Sequence, residues 1–271
     1  RFLTRLAGPS GGSHKPSSKR TKMEAASIET AARLIVQATR REIPPPDRLP
    51  EDVSPKTAAE ALAIQDKVID LLGETVVGWK VAVVDGEVLR GAVLASRKMP
   101  TGAVIPAGAM PLCGIEAEIA FRFDRDMPYR PEGYSEEELA AAVTAMVVIE
   151  VVDTRFASYQ EAPFLDRAAD FMSNGGFVIG TVRDDWRSFD LAKLEVAVTA
   201  GGEEIARGVG GHIAGNPILP ALALVNDHKA GIAKGTFIST GTFSGLKYAK
   251  PGDAVHVAFE GFGAADLTLA A

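Results

Sequence analysis

Ile115-Glu116-Ala117-Glu118-Ile119-Ala120-Phe121-Arg122-Phe123 is the stretch on which the fold turns. Read as a strand, it puts Ile115, Ala117, Ile119, Phe121 and Phe123 on one face and Glu116 and Glu118 side by side on the other. Residues two apart on a strand lie roughly 6.6 Å apart, and two like charges at that distance repel by about 2.5 kcal/mol at an effective dielectric near 20. Either solvent absorbs that repulsion on a wet outer face or a cation exploits it. The rest of the chain decides between the two.

A second apolar run bears on the choice. Met146-Val147-Val148-Ile149-Glu150-Val151-Val152-Asp153 is hydrophobic on both faces, so Glu150 is not expected to look at bulk water. A buried carboxylate without a partner costs several kcal/mol or takes up a proton, so Glu150 calls for a partner. The strand Val76 to Val84, closed by the turn pair Asp85-Gly86, carries Lys80 as its one charge. That lysine either snorkels to the surface or is held near anions. Glu116, Glu118 and Glu150 offer three oxygen ligands to a hard divalent cation, Mg²⁺ or Mn²⁺, if their strands are neighbours.

The remaining elements follow from periodicity and turn chemistry. Helices are expected from Ile28 to Arg41 and from about Lys56 to Leu72, the second stopped by Gly73. Between them the proline-rich Ile43 to Pro55 is expected to run extended over the surface. Ser135, with Glu138 three residues on, caps a helix expected to reach about Ala145. Strands are expected at 177–182, 194–199, 203–207, 237–241, 254–259 and 262–269, and a helix at 217–230. Strands without regular crossover helices indicate an α+β protein with a β-rich body, not a doubly wound sheet. Residues 1–22, basic and rich in Gly, Ser and Pro, read as a disordered leader or cloning remnant, with a transit peptide as the alternative. The following 23–271 read as a single domain, helical over 23–75 and β-rich over 76–271.

Composition narrows the partners. The formal net charge of −6 becomes −12 once the six basic residues of the first 22 are set aside, and so acidic a body argues against nucleic acid. Cys113 is the only cysteine, which excludes an internal disulfide and fits a reducing, cytoplasmic compartment. No apolar run approaches the roughly 18 residues of a membrane helix, so no membrane partner is expected. Gly208-Val209-Gly210 and Gly245-Leu246-Lys247 lack the rest of any phosphate-binding motif, and no Gly-x-Ser-x-Gly occurs. The histidines at 212, 228 and 256 have no evident nucleophile partner and are expected to be surface or satisfied structural residues.

Taken in order, Gly78-Trp79-Lys80-Val81, Ile115 to Phe121, Ile149-Glu150-Val151-Val152-Asp153-Thr154-Arg155 and Ser239-Thr240-Gly241 resemble the motifs of the fumarylacetoacetate hydrolase superfamily. The match is closest to its 2-keto-4-pentenoate hydratase and 2-oxo-3-enedioate decarboxylase branch, and it spans nearly everything from residue 25 onward. The resemblance implies a mixed β-sandwich roll with N-terminal and flanking helices, a homo-oligomer, and metal-dependent hydration of a small 2-oxo acid in aromatic compound catabolism. It implies metal ligation by Glu116, Glu118 and Glu150, an active-site Lys80, and substrate binding by Lys80, Thr240, Gly241 and Ser173. Decarboxylation of a dioate and acylpyruvate-type C–C hydrolysis are the enzymatic alternatives; Val152-Asp153-Thr154-Arg155, in place of the hydrolases' Asn-Asp-x-Thr/Ser-Ala-Arg-Asp, favours the hydratase and decarboxylase branch. The family's Pro-Asp-Phe-Gly segment has no acidic counterpart in Leu89-Arg90-Gly91-Ala92-Val93-Leu94, and Ala169-Asp170-Phe171 and Gly215-Asn216-Pro217 depart from Ala-Asp-Asn and Gly-His-Pro. Those departures support a non-enzyme alternative, a binding or scaffold subunit that keeps the fold.

Overall fold

A computed structural model describes residues 23–271, and the leader at 1–22 lies outside the described residues. Two helices open the described residues, α1 (Ala25–Thr39) and α2 (Ala58–Leu72). Thr57 caps α2 by accepting from the Glu60 amide, and Gly73 ends it in the left-handed conformation at φ 68°. The intervening prolines do not simply skirt the surface. Leu49 and Val53 are buried, and the Asp166 carboxylate accepts from the Leu49 amide and the Ser54 hydroxyl, both at 2.8 Å. Two apolar side chains and one buried acid thus pin down a segment that its prolines merely kept out of helix.

Strands β1 (Val76–Val84) and β2 (Glu87–Leu94) form a hairpin in which Asp85 and Gly86 both take positive φ, as a type I′ turn requires. Short β3 (Lys98–Pro100) and β4 (Ala103–Ile105) lead to β5 (Gly114–Phe123). The Ser135–Glu138 capping box forms, but its helix α3 (Glu136–Ala140) is one turn long and β6 (Val143–Val152) begins at once. The expectation of helix to Ala145 is therefore corrected: β-branched Val143 and Thr144 pair with Phe123 and Arg122, and strand pairing overrides the helix preference of the alanines. After α4 (Phe164–Ala169) come β7 (Asn174–Arg183), the β8 (Glu195–Ala200) and β9 (Glu203–Val209) hairpin, and α5 (Ile218–Asp227). The chain closes with β10 (Phe237–Thr242), β11 (Lys247–Tyr248), β12 (Ala254–Phe259) and β13 (Gly263–Leu269).

These strands make two mixed sheets. The larger has the order β2-β1-β10-β5-β6-β7-β3, with β11 also on β5; the smaller runs β4-β13-β12-β8-β9. Gly180 of β7 lets the sheets meet, because a Cβ there would stand 2.3 Å from the Ala264 carbonyl oxygen of β13. Ile115, Ala117, Ile119, Phe121 and Phe123 are all buried in the main core, as the alternation of β5 requires. The opposite face of β5 looks onto a cavity. None of the described helices is long and apolar enough to cross a membrane.

Candidate active site

Four adjacent strands carry the site: β1 supplies Lys80, β10 Ser239 to Thr242, β5 Glu116 and Glu118, and β6 Glu150. Pairing of β5 with β6 sets Glu116 directly opposite Glu150. Carboxylate oxygens of Glu116, Glu118 and Glu150 all lie within 4.8 Å of one another. Glu118 and Glu150 are fully buried, whereas the Glu116 side chain keeps 14% exposure. The face is therefore not a wet outer surface.

Strands β10 and β5 lie between the strand of Lys80 and that of Glu150. The two long side chains reach across β10 and β5, and Lys80 Nζ donates to Glu150 Oε1 at 2.6 Å while standing 4.0 Å from Glu116 Oε2. The lysine is thus held among anions rather than snorkelled away. Burial works against its ammonium, but the charges of Glu150, Glu116 and Glu118 outweigh burial and hold its pKa above the ordinary value. Burial likewise pushes Glu150 well above the usual carboxylate range and Glu116 above it, against the pull of Lys80.

Glu118 Oε2 accepts from the Ser239 hydroxyl and, at 3.2 Å, from the Gly241 amide. The partner oxygens, Glu118 Oε1 and Glu150 Oε2, are buried with no hydrogen-bond donor. Orphaned buried carboxylate oxygens are costly, and a hard cation shared with Glu116 would satisfy both. The donor set fits Mg²⁺-type chemistry, three hard oxygens with room left for water and substrate.

Above these residues opens a cavity of about 580 Å³. Lys80, Glu116 and Glu118 form its polar floor, Thr240 and Gly241 one side, and Ala82, Leu219 and Ala223 apolar wall. Glu150 lies beneath, out of contact with solvent. Thr240 lines the cavity, but its hydroxyl donates to the Ile119 carbonyl at 2.7 Å and its own carbonyl lies 2.9 Å from His212 Nε2. His212 is a buried, satisfied residue whose pKa burial lowers. Ser173 is buried, its Oγ has no partner, and it is not among the cavity-lining residues.

Ser173 belongs to a turn that the sequence did not disclose. Phe171, Met172 and Ser173 take φ of 51°, 54° and 59°, a left-handed run of three non-glycine residues that costs of order 1–3 kcal/mol each. Its product is the Met172 carbonyl, which accepts from Lys80 Nζ at 3.3 Å. Gly91 on β2 makes space for it, since a Cβ there would sit 2.4 Å from the Phe171 carbonyl oxygen. Arg155 clamps the turn at both ends: Nε pairs with the buried Asp170 carboxylate, Nη2 donates to the Asp170 carbonyl at 2.9 Å and Nη1 to the Asn174 carbonyl at 2.8 Å. Asn174 Nδ2 ties the turn to Ala92 of β2. Sequence reasoning assigned no role to Ser239, to the Arg155–Asp170 pair or to Gly91, although Ser239 and Arg155 stand within the motif stretches quoted above.

Residues 91–270 match the model of the fumarylacetoacetate (FAA) hydrolase C-terminal family. The chain belongs to that family. Among curated relatives, a 2-keto-4-pentenoate hydratase of Burkholderia vietnamiensis is 31% identical over 181 residues, covering 62% of this chain and 68% of the relative. Another, from Paraburkholderia phymatum, is 31% identical over 209 residues, covering 72% and 78%. Among solved structures, 4-oxalocrotonate decarboxylase from Pseudomonas putida G7, complexed with magnesium and adipate, superposes with a TM-score of 0.79 at 22% identity, covering 91% of this chain and 98% of that one. That likeness bears out the α+β fold of the family expected from the sequence.

Proposed function

We propose that this member of the family is a divalent-metal-dependent hydratase that adds water to a small unsaturated 2-oxo acid of the 2-keto-4-pentenoate type. The observation that carries the reading is the cluster at and beneath the cavity floor: three convergent glutamates, two of them with orphaned buried oxygens, beside one buried lysine. The hydratases among the relatives supply the reaction class. Glu116, Glu118 and Glu150 would hold the ion, Mg²⁺ or Mn²⁺. When bound, it supplies Lewis acidity that draws negative charge toward the 2-oxo group.

The chain's own residues do the rest. Lys80, held as an ammonium beside Glu150 and Glu116, is a hydrogen-bond donor that pairs with the substrate carboxylate or assists proton transfer during tautomerisation. Its position is set from three sides, by Glu150, Glu116 and the Met172 carbonyl. The Ser239 hydroxyl and Gly241 amide hold Glu118 in one orientation. Thr240 and Gly241 line the cavity where the substrate's acid group would lie, whereas Ser173, buried and with an unpartnered Oγ, does not line it.

Decarboxylation of a 2-oxo-enedioate is the second reading, favoured by the structural likeness to 4-oxalocrotonate decarboxylase. We extend the first reading to a homo-oligomer, in which a second copy would cover the apolar Val209 and Ile213, 70% and 95% exposed, and, from the lone Cys113, to the cytoplasm. The test is to add Mg²⁺ and 2-hydroxypenta-2,4-dienoate, or 2-oxo-3-hexenedioate, and follow the ultraviolet absorbance. Loss of the dienol with water added supports the hydratase; release of CO₂ from the dioate alone supports the decarboxylase; neither reaction, with metal bound, contradicts both.

A further inference from the structure

A second cavity, of about 440 Å³, lies on the other side of the Phe171–Ser173 turn from Lys80. Its lining includes three guanidiniums from distant parts of the chain, Arg41, Arg97 and Arg155, with Asp153 as the acid and Ala38, Ile43 and Met110 among the apolar walls. Arg155 is fully engaged with Asp170 and Asn174. Arg97 is not. Its Nη1 donates to the Asn174 carbonyl at 2.9 Å and its guanidinium lies 4.9 Å over the Phe171 ring, yet among the described residues no carboxylate stands within 4.0 Å of it and its other nitrogens have no acceptor.

We propose that this cavity is a binding site for a small organic monocarboxylate, held by the free edge of Arg97. An unpaired guanidinium presents parallel N–H donors that match a carboxylate two to two. Burial and the neighbouring Arg155 lower the Arg97 pKa to about 10 against the pull of Asp170, Glu74 and Asp153, so the side chain is charged at neutral pH and has no carboxylate in contact. Among the lining side chains the cations outnumber the acids: Arg155 is paired with Asp170, and Asp153 is the one lining acid against Arg41 and Arg97, with Glu74 acting on Arg97 from outside the cavity. Asp153 is itself partly spent, accepting from the Leu112 amide at 3.3 Å. Arg41 stands exposed at the rim, its Nη2 bonded to the Gly108 carbonyl. Apolar walls favour an anion with a hydrocarbon body over a hydrated inorganic ion, and the volume lies within the range of small-molecule sites, roughly 300–1,000 Å³. The site does not depend on the glutamate cavity, since Phe171 faces Arg97 while the Met172 carbonyl faces Lys80.

The probe is benzoate, titrated calorimetrically into the metal-stripped full chain, with benzamide as its neutral isostere and inorganic phosphate as the alternative anion. One benzoate per chain should bind, with benzamide and phosphate weaker by about tenfold or more. Arg97→Gln should weaken benzoate by about tenfold or more, and Arg41→Gln, a surface change that leaves the core intact, by a few-fold. Leu219→Trp, which fills the glutamate cavity from a partly exposed position, should leave the isotherm unchanged. Equal affinity for benzamide, tighter binding of phosphate, an unaltered isotherm in both arginine variants, loss of binding in Leu219→Trp, or no binding at all would each overturn the assignment.

Discussion

Replacing Lys80 by Met keeps the length and apolar stem of the side chain and removes only the ammonium, leaving Glu150 buried without its partner. At 2.6 Å the gross attraction is about 6 kcal/mol at an effective dielectric near 20. Desolvation of both ions offsets part of it, and removing one partner of a buried pair costs about 3–5 kcal/mol net. Against a total stability of about 5–15 kcal/mol that is a large fraction. Urea unfolding of the metal-stripped protein at mildly alkaline pH should therefore show Lys80→Met less stable by that amount, with much of the loss recovered in Lys80→Met/Glu150→Gln. The pH dependence has a definite sign. A carboxyl held above its unfolded value of 4.5 contributes stability at low pH and loses it as pH rises through the folded pKa, and removing Lys80 raises that pKa further. The penalty of the variant should accordingly shrink toward acid pH and grow toward alkaline pH. A loss below about 1 kcal/mol at alkaline pH, or a double variant no better than the single, would refute the claim that Lys80 is the charge partner of Glu150.

Three further expectations follow from the same geometry. Gly91→Ala drives a Cβ against the Phe171 carbonyl and should cost about 1–3 kcal/mol in chemical denaturation while lowering turnover, because the Met172 carbonyl is displaced from Lys80; wild-type stability would contradict the close approach. Asp170→Asn leaves Arg155 buried without its counter-charge and should destabilise by about 3–5 kcal/mol, read as a lowered urea midpoint. Because Glu150 and Glu116 hold their protons above the ordinary carboxylate range, and ions bind the deprotonated forms, the rise in Tm on adding Mg²⁺ should grow as pH increases from about 5 to about 8. A Tm gain independent of pH would count against those two ligands.

Much of this site was legible before the structure because it depends on strand alternation and on burial. The run 115–123 announced its two faces, and Glu150 declared itself buried by lying in a strand apolar on both sides. The tight turns at Asp85-Gly86 and Gly201-Gly202 carried their own signals, confirmed by positive φ at all four residues. What stayed hidden depends on partners far away in sequence. Ser239 stood in a quoted motif, but its role shows only when Glu118, 121 residues away, is placed against its hydroxyl. Whether Lys80 snorkelled or met anions was decided by β10 and β5 lying between it and Glu150. The left-handed turn at Phe171–Ser173 has no glycine to betray it and persists because Arg155, Asn174 and Gly91 hold it from outside. Leu49 and Val53 sit among prolines that mask any periodicity, and Asp166, which fixes that segment, lies on α4.

The most direct test of the glutamate site is calorimetric titration of Mn²⁺ into the metal-stripped chain, compared with Glu118→Gln and Glu150→Gln. Each substitution removes a carboxylate that carries one of the orphaned buried oxygens while keeping the side-chain shape. One ion per chain should bind, and its affinity should fall by well over about tenfold in each variant. Unchanged affinity in both would contradict the assignment of Glu116, Glu118 and Glu150 as the metal ligands.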